Sequence, residues 1–118
     1  MSRTGTVTKG WGHEEIWAST DEYCGKMMHF KSGTKSSMHF HAVKDESWYI
    51  VSGNFKVVYI NTKDASTHEK QLDPGDTWHN PPLMPHQLIC INAGIIVEVS
   101  TKDTEEDNYR VSPGDSQL

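Results

Sequence analysis

The 118 residues predict a single all-β domain, and three observations carry that expectation. Short runs rich in β-branched and aromatic residues recur at 23–30, 38–41, 46–52, 55–60, 87–91 and 95–99, the composition of half-buried strands. Turn-forming clusters separate them: Lys31-Ser32-Gly33, Gly53-Asn54, Pro74-Gly75-Asp76 and Asn92-Ala93-Gly94. The length suits one hydrophobic core and leaves no room for a second module. The expected organisation is an N-terminal arm over 1–22, a core over 23–100 and a C-terminal arm over 101–118.

Residues 1–10 are rich in threonine and glycine without periodicity and predict a loose arm or an edge strand. Next, Lys9-Gly10-Trp11-Gly12-His13-Glu14-Glu15-Ile16-Trp17 places two tryptophans and two carboxylates around a glycine turn, a lid or rim with Trp11 and Trp17 as core anchors. In the strand 23–30, Lys26 shares a face with Met28 and Phe30. Either that face is buried and Lys26 needs an anionic partner, or the opposite face is buried and Lys26 is solvated. Gly53-Asn54 predicts a tight hairpin between 46–52 and 55–60. The polar stretch 61–71 reads as a solvent loop with His68 exposed and uninvolved. Pro81, Pro82 and Pro85 fix an irregular approach to His86, and Asn92-Ala93-Gly94 breaks the last two strands. His86, Leu88 and Cys90 share a face, which turns Cys90 toward any cavity that His86 lines. The stretch 101–118, acidic at Asp103, Glu105, Glu106 and Asp107, has the composition of a frayed end.

With 11 basic against 16 acidic residues, the chain has no electrostatic footprint for nucleic acid or an anionic membrane. No stretch approaches the roughly 20 apolar residues that span a bilayer, and the polar start lacks the apolar segment of a secretory signal. A cytoplasmic protein is expected. Cys24 and Cys90 fall in predicted strands without metal-knuckle spacing and read as buried free thiols.

The chemistry concentrates between Gly33 and Gly53. Successive side chains of a strand alternate in direction, so His39 and His41 share a face and can reach one cation. Glu46 follows a four-residue turn at the head of the returning strand and can face the two imidazoles. The pattern Gly33-x5-His39-x-His41-x4-Glu46-x6-Gly53, followed by Gly75-Asp76, Pro81, Pro82, Pro85 and His86, resembles the two motifs of the cupin superfamily. The resemblance implies a jelly-roll β-barrel with His39, His41, Glu46 and His86 around one divalent metal, zinc first, with manganese and iron as alternatives. His13 and His79 read as structural histidines, His79 with the option of supporting a ligand.

Along the whole chain the features also resemble the C-terminal phosphomannose isomerase domain of bifunctional type II mannose-6-phosphate isomerase/mannose-1-phosphate guanylyltransferases. Lys9-Gly10-Trp11-Gly12 is similar to its Arg-Pro-Trp-Gly, Lys26-Met27-Met28-His29-Phe30-Lys31-Ser32-Gly33 to its Lys-Arg-Ile-Thr-Val-Lys-Pro-Gly, and Glu46-Ser47-Trp48-Tyr49-Ile50-Val51-Ser52-Gly53 to its Glu-His-Trp-Val-Val-Val-Ser-Gly. Ile96-Val97-Glu98-Val99 and the segment from Glu105 to Arg110 follow its Ile-Glu-Val and Glu-Asp-Asp-Ile-Val-Arg. This likeness implies substrate- and phosphate-contacting roles for Lys26, Ser37 and Arg110, and an ordered C-terminal arm closing the barrel mouth. His39 stands where that family has glutamine, and Gln87 where it has arginine.

Three functions follow from these resemblances. The first is an aldose–ketose isomerase for a sugar or sugar phosphate, in which the metal polarises the carbonyl and stabilises an enediolate. Its base is Lys26, Glu14 or Glu15, provided the pocket shifts the pKa toward neutrality, while Ser37 and Arg110 orient a phosphate. The second is an Fe(II) dioxygenase with Cys90 and His79 near the cavity. The third is a non-catalytic barrel that binds metal or a small molecule. Open sheet edges imply a homodimer.

Overall fold

The computed structural model describes residues 4–117, so residues 1–3 of the N-terminal arm and Leu118 of the C-terminal arm lie outside it. Nine strands form in order: β1 (Gly5–Lys9), β2 (Gly12–Ser19), β3 (Tyr23–Phe30), β4 (Met38–Phe40), β5 (Glu46–Ile60), β6 (Thr67–Leu72), β7 (Thr77–Asn80), β8 (His86–Thr101) and β9 (Tyr109–Ser112). Among the described residues one 3-10 turn follows, at Asp115–Gln117. All pairings are antiparallel. No helix among the described residues is long and apolar enough to cross a membrane.

The two longest strands organise the sheet. β5 and β8 pair along almost their whole lengths, from Glu46↔Ser100 to Tyr59↔His86. Neither stops where a turn was expected. Gly53-Asn54 does not close a hairpin, and Asn92-Ala93-Gly94 does not end a strand. Instead the register shifts repeatedly between Ile50 and Phe55, and Gly53 adopts φ 83°. Bulges of this kind bend a strand and sharpen its twist without ending it. The two glycines permit the bend by contact: a Cβ on Gly94 would lie 2.0 Å from the Ser52 carbonyl oxygen, and one on Gly53 would lie 2.7 Å from Gly94 Cα.

The bend folds one continuous sheet into two facing leaves, a jelly roll. One leaf holds β1, β2, β3, the second half of β8, the first half of β5 and β7. The other holds β9, β4, the first half of β8, the second half of β5 and β6. β6 occupies part of the stretch expected to be a solvent loop, because Leu72 is fully buried and draws the preceding residues into register with β5. His68 stays exposed on it, stacked on Tyr59.

Between the leaves lies an apolar cluster that includes Ile50, Phe55, Val57, Leu72, Leu88 and Ile96. Trp11 anchors its edge, stacked on Phe30 with ring centroids 4.1 Å apart. Trp17 does not join it. It falls in the outward phase of β2 with Glu15, is 53% exposed, and covers Gly25, where a Cβ would lie 2.4 Å from its ring. Cys24 and Cys90 are free and buried.

Residues 101–117 form an ordered arm. β9 pairs with β4 through Met38↔Ser112, His39↔Arg110 and Phe40↔Tyr109. Beyond it, Asp115 Oδ2 accepts a bond from the Lys35 N–H at 2.7 Å, and Ser116 Oγ accepts one from the Gly10 N–H at 3.0 Å. Of the acidic residues that suggested a frayed end, Asp107 accepts the Ala42, Val43 and Lys44 N–H groups and Asp103 pairs with Lys26 and Lys44. Because the Gly94 contact is with backbone, which cannot move aside, Gly94→Ala is expected to lower the unfolding free energy by about 3 kcal/mol. The measurement is the urea midpoint, and an unchanged midpoint would refute the role assigned to the bend.

Candidate metal centre

Four side chains from both leaves converge at one end of the interior. His39 lies on β4 opposite His86, the first residue of β8, and His41 follows directly after β4. Their rings sit close together, with centroids 4.6 Å apart for His39–His86 and 5.2 Å for His39–His41. One nitrogen from each of the three lies within 4.8 Å of the others, a grouping that could hold a metal ion. Glu46, the first residue of β5, arrives from the opposite leaf. Its Oε1 lies 3.1 Å from His41 Nε2 and 3.8 Å from His86 Nε2.

The orientation of the rings is set from behind. His39 Nδ1 lies 3.0 Å from the Ser37 carbonyl and 3.0 Å from its hydroxyl. His41 Nδ1 faces the Asp107 carbonyl at 2.6 Å, and His86 Nδ1 faces that of Met84 at 3.1 Å. A carbonyl can only accept, so each Nδ1 carries the proton and each Nε2 turns inward as the coordinating nitrogen. Glu46 Oε1 and His86 Nε2 are sealed from solvent and make no hydrogen bond. Two orphaned, converging donor atoms in a set of one carboxylate and three histidines, His39 half-buried and the others buried, fit a divalent first-row metal.

Electrostatics agree with that fit. Burial, with the charges of His86 and His41 added to it, pushes His39 down to about 3, and burial pushes His86 down to about 4. Both rings therefore present neutral lone pairs at neutral pH. Burial disfavours charge on His41 as well, but Glu46 and the Asp107 carbonyl outweigh it and raise the pKa. Glu46 is held at about 2, because contact with His41 and the charge of Lys44 outweigh the burial that opposes its ionisation.

A buried charge network continues from the ligands. Lys44 Nζ lies 3.1 Å from Glu98 Oε2, 3.4 Å from Asp103 Oδ1 and 3.9 Å from Glu46 Oε1. Lys26 Nζ lies 2.8 Å from Asp103 Oδ2 and 3.6 Å from Glu14 Oε1. Trp48 Nε1 donates to both Glu46 at 2.9 Å and Glu98 at 3.1 Å. Together these groups line a cavity of about 240 Å³ that also takes in Ser37 and Arg110.

Lys26 points inward, as the alternation allowed, yet its anions are the protein's own. Burial works against its charge, but Glu98 above all, then Glu14 and Asp103, raise the pKa away from neutrality. It thus misses the condition for a general base. Glu14 also faces the cavity. Glu15 does not: it stands in the opposite phase of β2, against His29 outside the barrel. The Ser37 hydroxyl is turned onto His39, and Arg110 is exposed at the cavity margin. Cys90 faces inward but at the apolar end, within the core cluster. His79 points outward to pair with Asp45, because its neighbour Asn80 takes the buried phase beside Glu46. Cys90 and His79, expected near the cavity in the oxygenase reading, are therefore absent from its lining.

Sequence reasoning missed Lys44, Glu98, Asp103 and Asp107. Only Glu98 carried a signal, its alternation with the core residue Ile96. Asp107 shapes the centre by accepting the Ala42, Val43 and Lys44 N–H groups on its carboxylate, at 2.7, 3.2 and 2.8 Å. This fixes the loop between His41 and Glu46.

Removing the ammonium in Lys44→Met takes a cation from Glu46, Glu98 and Asp103 and leaves Asp103 with Lys26, and we expect a loss of about 3 kcal/mol at neutral pH in urea unfolding. Asp107 gives a pH signature. Burial pushes its carboxyl up, but the three N–H donors outweigh it and hold the pKa below the ordinary value. Its stabilisation is thus complete above the ordinary carboxylate range and lost as pH falls from there through the lowered folded-state value. The difference in urea midpoint between wild type and Asp107→Asn should be constant near neutrality and close as pH falls below the ordinary carboxylate range.

Comparison with known proteins places this architecture. The family model described as the cupin domain matches residues 26–100. The chain is 30% identical over 92 residues to a mannose-1-phosphate guanylyltransferase of Salmonella muenchen, covering 75% of this chain and 20% of that protein. It therefore spans about a fifth of that relative's length. Among solved structures, a variant of Bacillus subtilis oxalate decarboxylase superposes with a TM-score of 0.81 at 17% identity, over 92% of this chain and 30% of that one. KdgF from Halomonas sp. gives a TM-score of 0.69 at 20% identity, over 80% and 81% of the two chains. At these identities the structural likenesses establish the fold, and with the family match over 26–100 the chain belongs to the cupin family.

Proposed function

We propose that the protein is a metal-dependent sugar or sugar-phosphate isomerase, interconverting aldose and ketose forms in the manner of mannose-6-phosphate isomerase. The convergence of three Nε2 atoms and the Glu46 carboxylate beside the interior cavity, which His39, His41 and Glu46 line, carries this reading. His39, His41, Glu46 and His86 would hold one divalent ion, zinc first with manganese or iron as alternatives, and that ion would supply Lewis-acid polarisation of a substrate carbonyl. The cavity of about 240 Å³ falls below the roughly 300–1,000 Å³ of pockets for drug-sized ligands and suits a small polar metabolite. The matches to the phosphomannose isomerase domain at 26–33 and 46–53 support the same substrate class, as does the identity to the guanylyltransferase.

Glu14 is the residue assigned to move the proton between neighbouring carbons. It is the inward carboxylate of β2, 8% exposed, and Lys26 Nζ at 3.6 Å orients it. Lys26 remains an ammonium and acts by positioning. Arg110, at the margin, is the group available to a substrate phosphate, with Ser37 beneath it holding His39. Homodimerisation belongs to the proposal, supported by the edges of β1 and β9, each of which pairs with one strand among those described. A second reading, binding without turnover, draws on one observation: both inward ammoniums are already matched by carboxylates.

Deuterium incorporation from D2O at the carbon next to the carbonyl, followed by NMR across aldose and ketose phosphates, separates the two. The metal-loaded protein should exchange that hydrogen, and Glu14→Gln should slow it by about 100-fold or more with metal content unchanged. Absence of exchange in the wild type would overturn the isomerase and leave the binding barrel.

A further inference from the structure

The outer face of the β2–β3 hairpin carries a group of donors that the interior centre does not use. His13 and His29 stand directly opposite each other in the antiparallel register. Their rings lie nearly parallel, 10° apart in plane, with centroids at 4.3 Å. Glu15 is two residues from His13 and so on the same face, with Oε2 3.5 Å from His29 Nε2. One ligand atom from each of the three falls within 4.8 Å of the others.

We propose that His13, Glu15 and His29 form a second metal site, specific for a divalent ion of the zinc, nickel or copper class. Two imidazoles and one carboxylate make a donor set that such ions take readily, whereas calcium and magnesium call for more oxygens. His29 supplies the observation that separates this group from an ordinary surface cluster. Its Nε2 is shielded from solvent and makes no hydrogen bond, although it faces outward on the sheet. A ring nitrogen denied both water and a protein partner is destabilising unless something binds it. Glu15 offers charge at 3.5 Å but no hydrogen bond, and a cation between the three groups satisfies all of them.

The site stands apart from the interior centre by the thickness of the sheet. Glu14 and Met28, from the same two strands, point to the other side and line the cavity. On the outer face His13 and His29 open onto a recess shared with Lys31 and with Thr6 and Thr8 of β1, which pair with Glu15 and His13. That recess leaves the remaining coordination positions to water. The ion would staple β2 to β3, and the proposal stands whether or not the interior centre is catalytic.

The test is Zn2+ titration of chelator-treated protein against a chromophoric chelator, with His13→Ala, His29→Ala and a His39→Ala, His86→Ala double variant. Wild type should bind two equivalents. Either outer variant should bind one, and the double variant should retain the outer one. Glu15→Gln, at an exposed residue, should weaken the outer equivalent by about tenfold and keep the fold intact if an alanine variant does not fold. In the double variant, the ring resonances of His13 and His29 should shift on adding Zn2+. If those resonances do not move, or the outer variants keep both equivalents, the site does not exist.

Discussion

The contact between Gly53 and Gly94, where β5 and β8 bend together, is the constraint on which the rest of the molecule depends. Without side chains at these positions the two longest strands can turn as a pair, and a flat sheet becomes two leaves that face each other. Each strand begins with a candidate ligand: Glu46 opens β5 and His86 opens β8. Antiparallel strands start at opposite ends of a flat ladder. The bend brings those starts across the interior from one another, so that Glu46 Oε1 and His86 Nε2 meet at 3.8 Å.

The interior is divided by chemistry. Toward one end, Phe55, Val57, Leu72 and Cys90 exclude water, and their burial stabilises the fold in proportion to the apolar area removed. Toward the other, Lys26, Lys44, Glu14, Glu46, Glu98, His41 and His86 are nearly as well buried. Such groups are tolerable only when each charge has a partner and each polar atom a hydrogen bond. Trp48 joins the two regimes, its ring in the apolar cluster and its N–H shared between Glu46 and Glu98. Of the buried polar atoms left without hydrogen bonds, Glu46 Oε1 and His86 Nε2 lie where the donor set converges.

Much of this was legible where local geometry alone decides. Alternation in an extended strand was enough to pair His39 with His41, and the turn length was enough to return Glu46. Glycine was harder to interpret, because Gly53-Asn54 fits a hairpin and a bulge equally well in local terms. The choice between them is made by the partner strand, which no local pattern displays. Alternation left two phases open for Lys26, and burial chose one. His79 shows the opposite hazard: it is close to the ligands in sequence and outside the barrel in space, since Asn80 takes the inward phase. Asp103 and Asp107 looked like a solvated acidic run because their partners, Lys26, Lys44 and the N–H groups of residues 42–44, lie more than fifty residues away.

The buried network has one more property. Four carboxylates, Glu14, Glu46, Glu98 and Asp103, face two ammoniums, Lys26 and Lys44. Counted formally, the interior is two negative charges from neutrality. A dication at the three histidines restores the balance, a monovalent ion leaves it short, and a trivalent ion overshoots. In a medium of low polarisability such imbalances are costly. The barrel would therefore favour a divalent ion at this site through Glu14, Glu98, Asp103 and the two lysines as well as through Glu46, the one carboxylate in the donor set.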